Sequence, residues 1–172
     1  SATRIACQTE NLTTKEPDLS FVNRVDSMDS DADVVVVFGG TNDFGHGDAK
    51  LGTFESRDPY TFYGAMHVLC EKLINRFPNA DILFMTPLHR CSEDEVSKEN
   101  GLPEETNLAG YVSIIREVAE FYGLPVLDLF STSGLQPKVD IIKETYMPDG
   151  LHPSDAGALR IALRLMGFLQ TL

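Results

Sequence analysis

Three short apolar runs punctuate the chain, and between them apolar residues recur every three or four positions. Val34-Val35-Val36-Val37-Phe38 is the first run. Four β-branched residues and an aromatic without polar alternation predict a strand buried on both faces. Gly39-Gly40 ends it and predicts a sharp turn into a loop running through Gly47. Ile82–Met85 predicts a second buried strand, closed by Thr86-Pro87, and Val126–Phe130 a third. Phe62, Met66, Leu69 and Leu73 form an apolar stripe, with Asp58 as N-cap, Pro59 at the first helical position and an end near Phe77-Pro78. Leu108, Val112, Ile115 and Ala119 predict a second helix, stopped by Gly123. Ser154 can cap a last helix with Leu159, Ala162, Leu163, Met166 and Leu169 as its apolar positions. Residues 1–30 are polar and irregular, with Leu19, Phe21, Val22 and Val25 suggesting one or two helical turns. Residues 88–105 and the stretch after Phe130, with Gly134 and Pro137, read as loops.

Apolar strands alternating with amphipathic helices predict a parallel sheet covered on both faces, in a single α/β domain over residues 1–172. Ligands in such sheets sit outside the carboxyl ends of the strands. The segments to inspect are therefore those after Phe38, Met85 and Phe130, and the approach to the last helix.

Composition narrows the picture. A chain of 172 residues accommodates one domain with a real core. A net charge of −12 repels phosphate backbones and argues against a nucleic-acid partner. No apolar run is long enough to span a membrane. Cys7, Cys70 and Cys91 are odd in number and widely spaced, which indicates neither a disulfide framework nor a zinc site. Cys70, on an apolar helical face, reads as core filling.

Two blocks carry candidate chemistry. Gly39-Gly40-Thr41-Asn42-Asp43-Phe44-Gly45-His46-Gly47 follows the first strand, and Asn42 there either presents a fixed amide donor to a developing oxyanion or stabilises its own turn. In Asp149-Gly150-Leu151-His152-Pro153, a carboxylate three residues before a histidine in a non-helical stretch can bend to the imidazole Nδ1–H. An ordinary surface turn would read the same way. His46, beside Asn42, and His89, after the second strand, are candidates to line a pocket, whereas His67 within a helix reads as structural. Asp43, His46, Asp48 and His89 have no recognised metal-ligand spacing.

Together the two blocks resemble those of the SGNH (GDSL-type) hydrolases, and the resemblance runs from about residue 31 to the end of the chain. It implies a flavodoxin-like three-layer α/β/α fold and hydrolysis of acyl or acetyl esters without metal or organic cofactor. The substrate would be a small-molecule, lipid, thioester or carbohydrate ester. It implies His152 as base, Asp149 as its orienter and Asn42 as oxyanion donor. Gly40, Thr41, Asp43, Phe44, His46 and His89 are the candidate pocket residues.

One departure stands out. The family's nucleophile is the serine of a Gly-Asp-Ser block, and none occurs here. Residues 1–6 resemble the tail of the family's second block. The expectation is a chain that begins after the first two strands and first helix, with the nucleophile upstream and the 172 residues alone inactive. Ser27 and Ser30 precede the first strand, at the wrong end of the sheet. Ser131 and Ser133 lie at the right end, in a stretch the resemblance makes structural. Cys91 is close to His89 in sequence, which is weak geometry for a thiol dyad. In the family's sheet order the missing strand lies beside residues 34–38. An N-terminal segment or a second copy is therefore the expected partner along that strand. The rival reading is a non-catalytic ligand-binding module on the same fold. A small-ligand flavodoxin-like domain lacks its phosphate-cradling loop here. The compartment stays open, with the cytoplasm favoured.

Overall fold

A computed structural model describes residues 3–7, 20–46, 49–95 and 106–172 of the chain. Its elements run α1 (Phe21–Arg24), β1 (Val34–Phe38), α2 (Thr41–His46), α3 (Phe62–Arg76), β2 (Asp81–Met85), α4 (Leu108–Phe121), β3 (Val126–Leu127), α5 (Leu129–Thr132), α6 (Asp140–Tyr146) and α7 (Asp155–Leu169), with a 3₁₀ turn at Val25–Ser27 after α1. The strands form one parallel sheet in the order β1-β2-β3, with Val36 opposite Leu83 and Phe38 opposite Met85.

Paired residues of a parallel register share a face. Val35, Val37, Ile82 and Phe84 therefore point one way, into a core closed by α1, α3 and α4. The expected stripes Phe62/Met66/Leu69/Leu73 and Leu108/Val112/Ile115/Ala119 are buried in it, as are Cys70 and His67. Leu83, Met85 and Leu127 face the other way, against α7. Helix ends follow local chemistry: Ser154 caps α7 by accepting from the Gly157 N–H, and Gly123, at φ 66°, follows the end of α4. No helix among the described residues is long and apolar enough to cross a membrane.

Several sequence expectations need correction. β1 is buried on one face only: Val35 and Val37 are covered, whereas Val34, Val36 and Phe38 are 44, 39 and 43% exposed. The second face lies open because β1 is at the sheet edge and α7 covers only β2 and β3 there. On α7 the inward residues are Ile161, Leu165, Phe168 and Leu169, and Leu159, Leu163 and Met166 are exposed. The helix is apolar on more than one side, so periodicity did not set its rotation. Beside the packed side, the Arg160 guanidinium lies 4.2 Å from the Tyr146 ring centroid and donates to the Gly134 carbonyl.

The third strand stops at Leu127, because Asp128 caps α5 by accepting from the Ser131 N–H. The expected loop after Gly40 is helical over Thr41–His46. α3 starts at Phe62 with Thr61 as its cap, and Asp58 instead closes the preceding turn through its carbonyl. The expected loop after Gly134 and Pro137 contains α6, which no apolar stripe announces because none of its residues is fully buried. The expected positions Leu19, Gly47 and Asp48, and most of the loop 88–105, lie outside the described residues.

Candidate active site

The site is assembled at the carboxyl ends of β1 and β2. An open cleft of about 190 Å³ is lined by Phe38, Gly39, Thr41, Asn42, Pro87 and Leu88 on the sheet side and by Leu151, His152 and Pro153 from the approach to α7. Two segments more than a hundred residues apart in sequence thus meet across one cavity, as the parallel topology requires.

Asp149 and His152 form a tight pair. His152 Nδ1 lies 2.7 Å from Asp149 Oδ2, while Oδ1 accepts the backbone N–H of His152 at 2.7 Å and of Leu151 at 2.9 Å. Three hydrogen bonds to one carboxylate, the His152 ring bond foremost, hold Asp149 well below the ordinary carboxylate range. An ionised Asp149 fixes the Nδ1–H tautomer and leaves Nε2 as the basic atom. Both side chains are exposed.

On the opposite wall, Gly40 takes φ 101°, a conformation that L side chains rarely adopt, and a Cβ there would sit 3.0 Å from Ile115 Cδ1. This turn starts α2 directly behind β1 and brings Asn42 to the cleft. Asn42 Nδ2 donates to the Thr3 carbonyl at 3.0 Å. Its neighbour Asp43 turns inward and is 1% exposed. It accepts the Ile5 N–H at 3.1 and 3.0 Å and the Ala6 N–H at 2.9 Å. Burial pushes the Asp43 pKa up to about 6, against the opposing pull of those N–H groups.

Of the sequence-derived candidates, the structure gathers Thr41, Asn42 and His152 at the cleft, with Asp149 directly behind His152. The others are not lining residues. Asp43 and Phe44 are buried, Phe44 in the core against Tyr111. Gly40 is a buried turn residue, and His46 is half-buried at the end of α2. His89 is turned to Glu93, with Nδ1 2.6 Å from Oε2, and its ring lies 3.9 Å from Phe130 centroid to centroid.

Sequence reasoning missed Arg90 and Glu93, which hold the segment behind the cleft. Their one visible signal was the His89–Glu93 spacing of four, uninformative outside a helix. Among the described residues no group of His, Cys, Asp or Glu converges as a metal site.

A sequence model of the GDSL-like lipase/acylhydrolase family matches residues 6–160. The chain belongs to this family. Among solved structures, one 38% identical superposes with a TM-score of 0.83, covering 99% of this chain and 76% of its own. A protein from Lactobacillus plantarum, 28% identical, also gives 0.83, with 99% of this chain and 78% of that one covered. The lipase/acylhydrolase from Enterococcus faecalis, at 21% identity, shares the fold with a TM-score of 0.56 over 87% of this chain and 68% of its own. No curated protein sequence matches significantly. The α/β architecture with a parallel sheet is that of the GDSL-like hydrolases.

Proposed function

We propose that this GDSL-like chain carries the base, orienter and oxyanion donor of an acyl- or acetyl-ester hydrolase that works through a Ser-His-Asp mechanism. The observation that carries this reading is the Asp149–His152 pair facing Asn42 across one cleft. A serine Oγ attacks the ester carbonyl carbon and its proton passes to His152 Nε2. The charge arising on the carbonyl oxygen is held by the Asn42 amide, whose NH2 has a second donor beyond the one given to Thr3. The imidazolium, stabilised by Asp149, returns the proton to the leaving alkoxide. Water, activated by the same nitrogen, then attacks the acyl-serine and releases the acid. The apolar walls formed by Phe38, Pro87, Leu88, Leu151 and Pro153 suit an uncharged acyl or alkyl group.

Among the described residues, those lining the cleft include no serine or cysteine. In this reading the serine arrives on a strand–helix segment docked along β1. Three features support that position. β1 has no strand on its outer edge among the described residues. Val34, Val36 and Phe38 and the α7 stripe Leu159/Leu163/Met166 are exposed around the same face of the sheet. Beside the edge, a groove lined by Phe21, Val25, Val35, Val37, Leu69 and Leu73 could take apolar side chains.

The test is labelling by a fluorophosphonate probe. The 172-residue chain alone is expected to remain unlabelled and inactive on a short p-nitrophenyl ester. A form that includes the serine-bearing segment is expected to label and hydrolyse. Labelling of the chain at Ser131 or Ser133 overturns the placement of the nucleophile. Absence of label and turnover in both forms favours a ligand-binding module instead.

A further inference from the structure

The segment after β2 touches both walls of the cleft. Toward Asn42, Arg90 Nη1 donates to the Thr41 carbonyl at 3.3 Å, and the guanidinium lies over the Phe44 ring at 5.3 Å. Toward His152, the Cys91 N–H donates to the Gly150 carbonyl at 2.9 Å, inside the Asp149–His152 turn. The approach is close: Gly150 is at φ 76°, and a Cβ there would sit 2.6 Å from Cys91 Sγ.

Glu93 closes this segment from beneath. Its Oε2 faces His89 Nδ1 at 2.6 Å and accepts the Arg90 N–H at 3.2 Å. Its Oε1 accepts from Gln136 Nε2 at 3.0 Å and from Lys138 Nζ at 2.9 Å. The residue is 6% exposed, so the carboxylate is held by its partners rather than by water. Burial raises its pKa, but the bonds from Gln136, Lys138 and His89 outweigh that and hold it at about 2, which keeps it charged at neutral pH.

The Asp149–His152 pair is exposed and bonded within its own turn, so its place relative to Asn42 depends on what grips the turn from outside. We propose that Glu93 is a positioning residue: its carboxylate locks residues 89–93 into a brace that spans from Thr41 to Gly150 and sets the separation of Asn42 and His152. The catalytic meaning of the brace rests on the ester-hydrolase reading, whereas its mechanical action does not.

Glu93→Gln separates the two. A carboxylate can accept at both oxygens, but the glutamine amide accepts at only one and turns its NH2 toward groups that donate. In the 172-residue chain, amide exchange followed by NMR is expected to become about tenfold faster at Arg90, whose N–H Glu93 accepts, and at Cys91, whose N–H Gly150 accepts, and to stay unchanged at Leu83–Met85. In the serine-bearing form, kcat is expected to fall about ten- to a hundredfold at constant KM, the cost of a small misplacement of reacting groups. Asp94→Asn, which removes only the outer partner of Lys138, is expected to change neither quantity. Gln136→Ala withdraws one donor and keeps the charge, and is expected to act in the same direction with smaller size. It decides the matter if Glu93→Gln does not fold. Unchanged exchange at Arg90 and Cys91, equal acceleration throughout β2, or an effect on KM alone overturns the brace. If no form hydrolyses esters, the exchange experiment still tests it.

Discussion

Asn42 gives an amide hydrogen to Thr3: Nδ2 donates to the Thr3 carbonyl oxygen at 3.0 Å, while the adjacent Asp43 grips the amides of Ile5 and Ala6. The first turn of α2 is thereby fastened to residues 3–7 through two consecutive side chains, one facing the cleft and one facing the core. A donor held in this way is preorganised, which is what stabilisation of an oxyanion requires. Asn42→Ala in the serine-bearing form is expected to lower kcat by about 10²–10³ with little change in KM. Steady-state kinetics on a p-nitrophenyl ester check this, and an effect confined to KM would make Asn42 a residue that shapes the cleft.

Asp43 is the structural half of that arrangement. Asp43→Ala leaves the buried N–H groups of Ile5 and Ala6 without their acceptor, and the expected destabilisation is about 2–4 kcal/mol. Thermal unfolding should show a Tm lower by roughly 5–15 °C. A fall of under 1 °C would mean the segment is held by other contacts.

His152→Ala in the serine-bearing form is expected to abolish ester turnover by several orders of magnitude, as loss of a triad base does. Asp149→Asn should cost roughly 10²–10⁴, because an amide can hold the wrong imidazole tautomer. Retention of more than about a tenth of the activity in His152→Ala would sink the assignment of the base.

Two buried carboxylates oppose each other in their dependence on pH. Glu93 is depressed in the folded protein to about 2 from 4.5, so its contribution is complete above pH 4.5 and lost as pH falls from there toward 2. Asp43 is raised to about 6 from 3.8, so its contribution is complete below pH 3.8 and lost as pH rises through 6. Tm measured from pH 3 to 8 should show Glu93→Gln flattening the acid limb below pH 4.5. Asp43→Asn should flatten the slope between pH 4 and 6. Parallel curves for wild type and both variants would refute the linkage.

The open edge of β1 gives a separate expectation. Val36→Lys puts a charge into an apolar face where a docking segment would bury it. Added in trans, a peptide covering the serine-bearing strand and helix should bind the wild-type chain and not the variant, by isothermal calorimetry. Equal binding to both would remove β1 as the docking edge.

The strand and helix order was legible in the chain because buried strands and amphipathic helices leave local signatures, as at Val34–Phe38, Ile82–Met85 and the α3 and α4 stripes. The bond between Asp149 and His152 was also legible, because three residues of non-helical backbone are enough to bring that carboxylate to its imidazole. Tertiary structure alone decided which side of each element faces protein. Val36 is as apolar as Val35, yet only the second is covered, because cover depends on where α7 lies across the sheet. Leu163 and Leu165 are chemically identical, yet only Leu165 packs against the cluster of Leu83, Met85 and Leu127, and Leu163 is exposed. Asn42 and Asp43 are adjacent polar residues, and only the position of residues 3–7 sends one to the cleft and the other to the core. Glu93 was invisible for the same reason: its four partners lie on two loops, and no local rule relates positions that only folding brings together.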